Sequence, residues 1–228
     1  MNFQKKQEFY KGGVTELYKD IHQISLDKKL STCKTKEIYH AKLLLTKDSK
    51  IKFITDFDSV NINKNKCAYD FTLEILKELK NSDKWISAKV GEKHFDSIIR
   101  LFFVPNHLLE NYTENYNPYK FYIPVTYIGG VGKMNKDIHD QFMAIFSDYH
   151  VNGKLFLDFV VDEKGEIVNP IITPKVDNES FNQDIFRALN RTKGQWISAK
   201  LDGISIKSRM TIPLNFSVNF YDFEDPKN

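Results

Sequence analysis

The pattern of apolar and polar residues changes its period along residues 152–216. Strict alternation over 155–161 predicts a β-strand with one buried face, because successive side chains of a strand point to opposite sides. The turn residues that follow end in Gly165, and glycine suits the positive φ that closes such a hairpin turn. We therefore predict that residues 166–173 return as the second strand of a hairpin.

A helical pattern follows the hairpin. Apolar residues recur at the spacing of one helix face behind Asp177 or Asn178 as the cap, and Gly194 marks the end of the helix. The apolar residues of this face are Phe181, Ile185, Ala188 and Leu189. From residue 204 to residue 216 the alternation returns, which predicts one long third strand.

The same succession of patterns occurs earlier in the chain. The recurring segments pair as 10–14 with 127–131, 19–22 with 136–139, and 85–89 with 196–200. Self-similarity in a fixed order predicts a duplicated unit. We therefore predict an α+β fold of two repeated units, at residues 9–104 and 127–220. Each has a helix, a β-hairpin, a second helix and a long third antiparallel strand. A connector rich in aromatic residues, Asn and Pro covers 105–126, and a polar tail covers 221–228.

The composition is that of an ordinary globular protein, and the charge limits the classes of partner that the protein could bind. Of 228 residues, 41% are hydrophobic and 28% are charged, and the net charge of +3 is too small to indicate a polyanion partner. Residues 28–52 contain eight lysines against Glu37 and Asp48, which indicates a solvated face, with an anionic surface site as the alternative. Only four residues are arginine, so we predict no nucleic-acid partner.

The sequence shows neither a membrane span nor a secretion signal. No run approaches the ~18 apolar residues of a transmembrane helix, and residues 1–8 lack an apolar core. The location is therefore either cytoplasmic or that of an exported protein whose leader has been removed. Cys33 and Cys67 are the only cysteines, and without a C-x-x-C spacing they indicate one disulfide or two free thiols rather than a zinc site.

No residue pattern indicates catalysis. Residues 129–133 are rich in glycine and include a Gly-Lys pair, but the first glycine and the hydroxyl residue of a phosphate-binding loop are missing. Asp56 and Asp58 offer a carboxylate pair, which solvated turn residues explain equally well. We therefore predict that the protein is not an enzyme and has no catalytic residue, metal or cofactor.

Two repeated features are interpreted as structural. Trp85 and Trp196 occupy the same place in both units, between the second helix and the last strand, and we predict that both are core residues. The second feature is the repeated pairs Asp20 with His22 and Asp137 with His139. Because residues two apart on a helix do not face each other, we interpret these pairs as surface residues.

Five short stretches of the second unit resemble one protein family. They are residues 161–167, 187–189, 196–200, 202–203 and 212–216. In this order and spacing they resemble the C-terminal domain of TonB energy-transducing proteins, particularly the forms found in Bacteroidetes, and the resemblance extends to a more diverged first unit. It implies a periplasmic protein-binding domain whose last strand pairs with the TonB box, a short extended segment of an outer-membrane transporter.

The resemblance places the candidate binding site on the last strand. An edge strand has unpaired backbone N–H and C=O groups that can accept a strand from a partner. The residues carried over are Ile206, Lys207, Arg209, Thr211, Leu214 and Phe216. We expect Lys207, Arg209 and Thr211 on the outer face, where their side chains would set the preference for a partner.

Together these observations predict a non-enzymatic protein-interaction module that is linked to TonB-dependent transport at the cell envelope. The sequence shows no membrane anchor and no Pro-rich spacer, so we do not expect force transmission by this chain alone. The alternative is a structural, inhibitory or immunity-type partner protein that uses the tandem scaffold without binding a TonB box. Self-association is a further possibility. We predict a periplasmic location, and a cytoplasmic one stays open.

Overall fold

The structure is a computed structural model that describes residues 7–55, 58–146 and 153–216. The chain divides into two compact units, Met1–Pro118 and Tyr119–Asn228, called unit 1 and unit 2. Both contain helices and antiparallel strands, so the predicted α+β class is confirmed. None of the described helices has the length and apolar character that crossing a membrane requires.

Unit 1 is built on a three-stranded antiparallel sheet. Its elements are α1 (Gly13–Asp27), β1 (Tyr39–Leu45), β2 (Ile51–Phe53), α2 (Ser59–Lys64), α3 (Lys66–Leu79), β3 (Ala88–Val90), β4 (Lys93–Phe95), β5 (Ser97–Phe103) and α4 (Pro105–Leu109). The sheet has the order β2-β1-β5, and β3 and β4 form a separate hairpin. Alternate residues of β1 are buried, and α3 packs against this strand.

Unit 2 contains a three-stranded antiparallel sheet with the order β9-β8-β13. After a 3-10 helix at Pro118–Phe121, the elements are β6 (Tyr122–Ile123), β7 (Thr126–Tyr127), α5 (Gly130–Phe146), β8 (Gly153–Val161), β9 (Ile167–Thr173), α6 (Glu179–Asn190), β10 (Trp196–Ile197), β11 (Ala199–Leu201), β12 (Ile204–Ile206) and β13 (Ser208–Phe216). Asn178, rather than Asp177, caps α6, because its Oδ1 accepts a hydrogen bond from the N–H of Phe181 at 3.0 Å.

The central sheets of the two units have the same strand order and corresponding registers. In each unit the first strand of the hairpin is central, with its hairpin partner on one side and the last strand on the other. Leu45 pairs with Ser97 in unit 1, and Val161 pairs with Ser208 in unit 2. This register allows positions to be compared between the units, while duplication as their origin stays a prediction.

The core of unit 2 lies between the inner face of its sheet and the helices α5 and α6. Its buried aromatic residues are Tyr127, Phe142, Phe159, Phe181 and Trp196. Trp85 and Trp196 are 2% and 4% exposed, which confirms the prediction that both are core residues.

The predicted long strand over 204–216 is wrong in one respect, because it consists of two strands in different sheets. β12 pairs with β11, whereas β13 pairs with β8, and Lys207 lies between them. Asp202 and Gly203 have φ values of 49° and 80° and form the tight turn that folds β12 back onto β11.

The predicted hairpin turn of unit 2 requires glycine. Gly165 has a φ of 83°, as expected from the sequence. A Cβ atom added to it would lie 2.5 Å from the carbonyl oxygen of Trp196, so the close approach of the backbone excludes a side chain. The corresponding turn of unit 1 contains Ser49 at a φ of 58°, and the Ser49 Oγ accepts a hydrogen bond from the N–H of Ser87 at 3.1 Å.

The segment 105–126, predicted as a connector without a regular period, contains short regular elements. Pro105 begins α4, where its missing N–H costs no helical hydrogen bond. The 3-10 helix, β6 and β7 follow. Elements of two to five residues are too short to show a period in the sequence, so the pattern of residues does not predict them.

Candidate functional site

The structure places most of the six candidate residues on β13, at one edge of the unit 2 sheet. Arg209, Thr211 and Leu214 lie within β13, and Phe216 is its last residue. Arg209 and Thr211 are exposed, whereas Leu214 is buried on the core face. Ile206 ends β12, and Lys207 lies between the two strands, so these two belong to the approach to the edge rather than to the edge itself.

The hydrogen-bond pattern of β8 determines which backbone groups of β13 point outward. Asp162, immediately after β8, donates its N–H to the carbonyl of Glu166 at 2.9 Å, on the β9 side. Both backbone polar groups of a strand residue point to the same side, and that side alternates along the strand. The even-numbered residues of β8 therefore bond toward β9, and the odd-numbered ones bond toward β13.

The outward groups of β13 follow from its register with β8. The residues of β13 opposite odd-numbered β8 residues, which therefore bond to β8, are Ser208, Met210, Ile212, Leu214 and Phe216. Arg209, Thr211 and Asn215 then direct both N–H and C=O away from β8, and Pro213 directs only its carbonyl there. Proline suits such an outward position because it has no donor to lose. We call these outward groups of residues 209, 211, 213 and 215 the β13 edge.

The corresponding edge of unit 1, on β5, is capped from within the unit. The buried hydroxyl of Tyr18 donates to the carbonyl of Phe102 at 2.9 Å and accepts from the N–H of the same residue at 3.2 Å. Phe102 corresponds to Pro213 by register, and Tyr18 corresponds by the sequence repeat to Asn135, which is exposed. A strand added beside the C-terminal end of β5 would have to displace Tyr18, whereas the described part of unit 2 contains no equivalent cap.

Asp158 organises the side chains beside the β13 edge. It lies directly across from Thr211 on β8 and is only 8% exposed, although it is on the outer face. Arg209 donates from Nε to Oδ1 at 3.2 Å and approaches Oδ2 with Nη2 at 2.9 Å, and the Thr211 hydroxyl donates to Oδ1. These contacts fix the side chains of Arg209 and Thr211 beside the β13 edge.

The Asp158 carboxyl has a lowered pKa. Burial alone would raise the pKa, but the hydrogen bonds from Thr211 and Arg209 and the charge of Arg209 together outweigh it. Because the folded pKa lies below that of an unfolded aspartate, the contribution of Asp158 to stability is present above about pH 4. It is lost as the pH falls through the folded pKa.

We expect Asp158→Asn to lower the free energy of unfolding of unit 2 by roughly 1–2 kcal/mol at neutral pH, because an amide keeps less of the charged hydrogen bonding. The difference from wild type should shrink as the pH falls below about 4. Urea unfolding at several pH values measures it. Asp177→Asn is the matched control, since the side chain of Asp177 is 87% exposed. A difference that stays constant down to acidic pH would contradict the role of the charge.

Asp20 and Asp137, interpreted above as surface residues, have a structural role, because each binds a tyrosine hydroxyl of its own unit. The Tyr10 hydroxyl donates to Asp20 at 2.6 Å, and the Tyr127 hydroxyl donates to Asp137 at 2.8 Å. Burial, and then the hydrogen bond to Asp137, raise the pKa of Tyr127 to about 12. The sequence does contain a signal for this role, because each repeat begins with a tyrosine ten positions before the aspartate. The prediction considered only the spacing between Asp and His and therefore missed the tyrosine.

Among the described residues, one group of three side chains has the spacing of metal ligands. Ligand atoms of Cys33, Glu37 and Cys67 lie within 4.8 Å of one another. The two cysteines are joined as a disulfide, so neither is a thiolate that could bind a metal, and the alternative left open by the sequence is resolved. The Glu37 carboxylate instead accepts a hydrogen bond from the N–H of Ala68 at 3.1 Å.

One of the two carboxylates considered as a possible enzyme site, Asp58, has a structural role. Asp58 caps α2, because its Oδ1 accepts a hydrogen bond from the N–H of Asn61 at 2.9 Å. Asp56 lies outside the described residues. The observed role of Asp58 therefore needs no catalytic explanation.

The fold is that of an α+β protein of two units, and among the described strands of unit 2 β13 lies at the edge of its sheet, beside the cluster of Asp158, Arg209 and Thr211. No family model, curated protein or solved structure matches the chain. The similarity to TonB C-terminal domains therefore depends on the sequence motifs alone and stays a prediction.

Proposed function

We propose that the protein is a non-enzymatic interaction module and that unit 2 binds an extended segment of a partner by β-strand addition to the β13 edge. The observation that carries the proposal is the direction of the backbone groups of β13. Arg209, Thr211 and Asn215 offer paired donors and acceptors on the side away from β8. Such groups form main-chain hydrogen bonds with an added strand without any change in the sheet.

The residues of the β13 edge differ in the backbone donors and acceptors that they offer. This difference determines where an added strand would be bound most strongly. Arg209 and Thr211 offer two complete donor–acceptor sets in succession, but Pro213 offers only a carbonyl. The strongest pairing is therefore expected at the N-terminal half of β13, beside the cluster of Asp158, Arg209 and Thr211. The buried Leu214 supports the strand from the core side and does not contact the partner.

We further propose that the natural partner is a TonB box of an outer-membrane transporter and that the compartment is the periplasm. The partner follows from the resemblance of residues 161–167 and 212–216 to TonB domains. The disulfide between Cys33 and Cys67 supports an oxidising compartment, because cytosolic thiols are kept reduced.

A second candidate function is a structural, inhibitory or immunity-type role without strand addition. It is favoured by features at the edges of both sheets that oppose pairing with another strand. Tyr18 caps the edge of unit 1, and Pro213 removes one donor from the edge of unit 2, and both are means by which proteins prevent strand pairing. Binding measurements on the β13 edge separate the two functions.

Thr211→Pro tests strand addition most directly. The N–H of Thr211 points away from β8, so its loss leaves the sheet of unit 2 intact but removes a donor from the β13 edge. We expect about tenfold weaker binding of synthetic TonB-box peptides, measured by fluorescence anisotropy.

Thr211→Val is the matched control, because it removes the hydrogen bond to Asp158 but keeps the backbone donor. It should bind the peptides like the wild type. Both variants are first compared with wild type in thermal unfolding, so that a loss of fold is recognised. Equal binding by Thr211→Pro and wild type would exclude the β13 edge and leave the second candidate function.

A further inference from the structure

The disulfide between Cys33 and Cys67 lies beside a third side chain that is able to bind a metal ion. The two sulfur atoms and a carboxylate oxygen of Glu37 lie within 4.8 Å of one another. Cys33 and Glu37 lie between α1 and β1, whereas Cys67 lies at the start of α3. The spacing of the cysteines in the sequence predicts no zinc site, but the fold brings the three ligand atoms together. We call Cys33, Glu37 and Cys67 the Cys-Glu-Cys group.

The carboxylate of Glu37 is held beside Cys67 by the backbone of α3. Its Oε2 accepts a hydrogen bond from the N–H of Ala68, the residue after Cys67, at 3.1 Å. The N–H groups of the first helical turn have no acceptor within the helix, and the bond from Ala68 therefore serves as a cap of α3. A carboxylate has about four lone-pair sites, so this one hydrogen bond leaves Glu37 able to bind a metal ion as well.

The position of Cys67 favours its thiolate once the disulfide is reduced. Cys67 is the second residue of α3, a helix of 14 residues. The backbone N–H groups and the macrodipole at a helix N-terminus stabilise a negative charge there. Because the thiolate is the form of cysteine that binds metals, reduction would give the Cys-Glu-Cys group a favourable ligand at this position.

We propose that reduction of the disulfide converts the Cys-Glu-Cys group into a Zn²⁺ site. A dithiol reductant transfers two electrons and two protons to the disulfide and is itself oxidised to a disulfide, so that two thiols are formed. Zn²⁺ then replaces the proton of each thiol, and two Zn–S bonds form with release of two protons. Glu37 supplies the third ligand. Water supplies the fourth, because Glu37 and Cys67 are only half-buried. This inference does not depend on the β13 edge.

The distances suit Zn²⁺ after a small rearrangement. Tetrahedral zinc with bonds of about 2.3 Å to sulfur and about 2.1 Å to oxygen places its ligand atoms about 3.5–3.8 Å apart. The Cα atoms of Cys33 and Cys67 are 5.8 Å apart, so rotation of the two side chains brings the sulfurs to this spacing. Two thiolates with one carboxylate favour Zn²⁺ over Cu⁺, which prefers sulfur ligands alone, and over Mg²⁺, which prefers oxygen ligands.

Titration of the full chain with Co²⁺, a spectroscopic substitute for Zn²⁺, tests the proposal. The disulfide is first reduced with a phosphine, which becomes a phosphine oxide with an oxygen atom from water. We expect the reduced chain to bind one Co²⁺ per molecule, with the ligand-field bands of a tetrahedral site and thiolate-to-cobalt charge-transfer bands. Zn²⁺ should abolish these bands, and the oxidised chain should not show them. Absence of the charge-transfer bands from the reduced chain would overturn the proposal.

Glu37→Gln separates the third metal ligand from the cap of α3. The amide oxygen of glutamine still accepts the hydrogen bond from Ala68, so the oxidised variant should unfold at the same temperature as oxidised wild type. The reduced variant should bind Co²⁺ at least about tenfold more weakly, because it lacks the anionic ligand. Glu92→Gln is the matched control, since the side chain of Glu92 is 97% exposed, and it should bind like wild type.

Equal binding by Glu37→Gln and wild type would overturn the three-residue site. Binding of one ion by two chains would also overturn it, because this stoichiometry indicates four thiolates from two molecules. Alkylation provides a measurement that needs no variant. Iodoacetamide should modify both cysteines of the reduced wild type in a chelator, and Zn²⁺ should slow this reaction at least about tenfold, because metal-bound thiolates are poor nucleophiles. Modification at the same rate with and without Zn²⁺ would contradict the proposal.

Discussion

Truncating Trp196 to alanine should lower the free energy of unfolding of unit 2 by roughly 3–5 kcal/mol. The indole is 4% exposed and packs edge-on against Tyr127 and Phe159, with ring centroids at 4.9 Å and 5.2 Å. Its Nε1 donates to the Thr192 hydroxyl at 2.9 Å. Removal of the indole leaves a cavity where the hairpin turn, α6 and the sheet meet. The expected loss is therefore a large part of the free energy of unfolding of a whole domain, which is typically about 5–15 kcal/mol.

Urea unfolding followed by far-UV circular dichroism measures this loss. The chain has only two tryptophans, so in the variant the fluorescence of Trp85 reports unit 1 separately. Ile197→Ala is the matched control, because the next residue of the same strand is 45% exposed and its truncation should cost less than about 1 kcal/mol. Equal losses for the two variants would show that Trp196 does not anchor the core.

The class of fold could be predicted because burial acts on short segments. A strand with one buried face must alternate, and a helix on a sheet must repeat its apolar residues every three to four positions. The strand at 155–161 and the positive φ of Gly165 follow directly from such local constraints. The same holds for the burial of Trp85 and Trp196, which the two copies of one pentapeptide indicated.

The division of residues 204–216 could not be predicted, because the alternation continues in phase through Lys207. Periodicity records which side of a strand is buried, but it does not record which strand is the neighbour. The change of partner from β11 to β8 therefore leaves no mark in the pattern. Unit 1 shows the same break between β4 and β5.

The candidate site was predicted in part. The outer positions of Arg209 and Thr211 follow from alternation, but the place of Asp158 in the site does not, because an acidic residue on the polar side of a strand is expected to be solvated. The register of β8 with β13 places it under both side chains. The capping of the unit 1 edge by Tyr18 was also missed, since it depends on a contact between residues 84 positions apart.

Reducing the disulfide between Cys33 and Cys67 should lower the free energy of unfolding of unit 1 by roughly 3–4 kcal/mol. The bond joins residues 34 positions apart and connects the segment before β1 to the start of α3. Without it, the unfolded chain gains the conformational freedom of that loop, which favours unfolding. Comparing oxidised with reduced wild type avoids the packing change that replacing the buried Cys33 would add.

Single-tryptophan variants make this measurement specific to each unit. Trp196→Phe leaves Trp85 as the fluorophore of unit 1, and Trp85→Phe leaves Trp196 as that of unit 2. Reductant should lower the urea midpoint of the first variant and leave that of the second unchanged, because both cysteines lie in unit 1. Alkylation before reduction should block no thiol in the oxidised protein. An unchanged midpoint of unit 1 in reductant would show that the disulfide does not stabilise unit 1. Alkylation of Cys33 and Cys67 without reductant would show that the bond is absent, and would remove the support that it gives to an oxidising compartment.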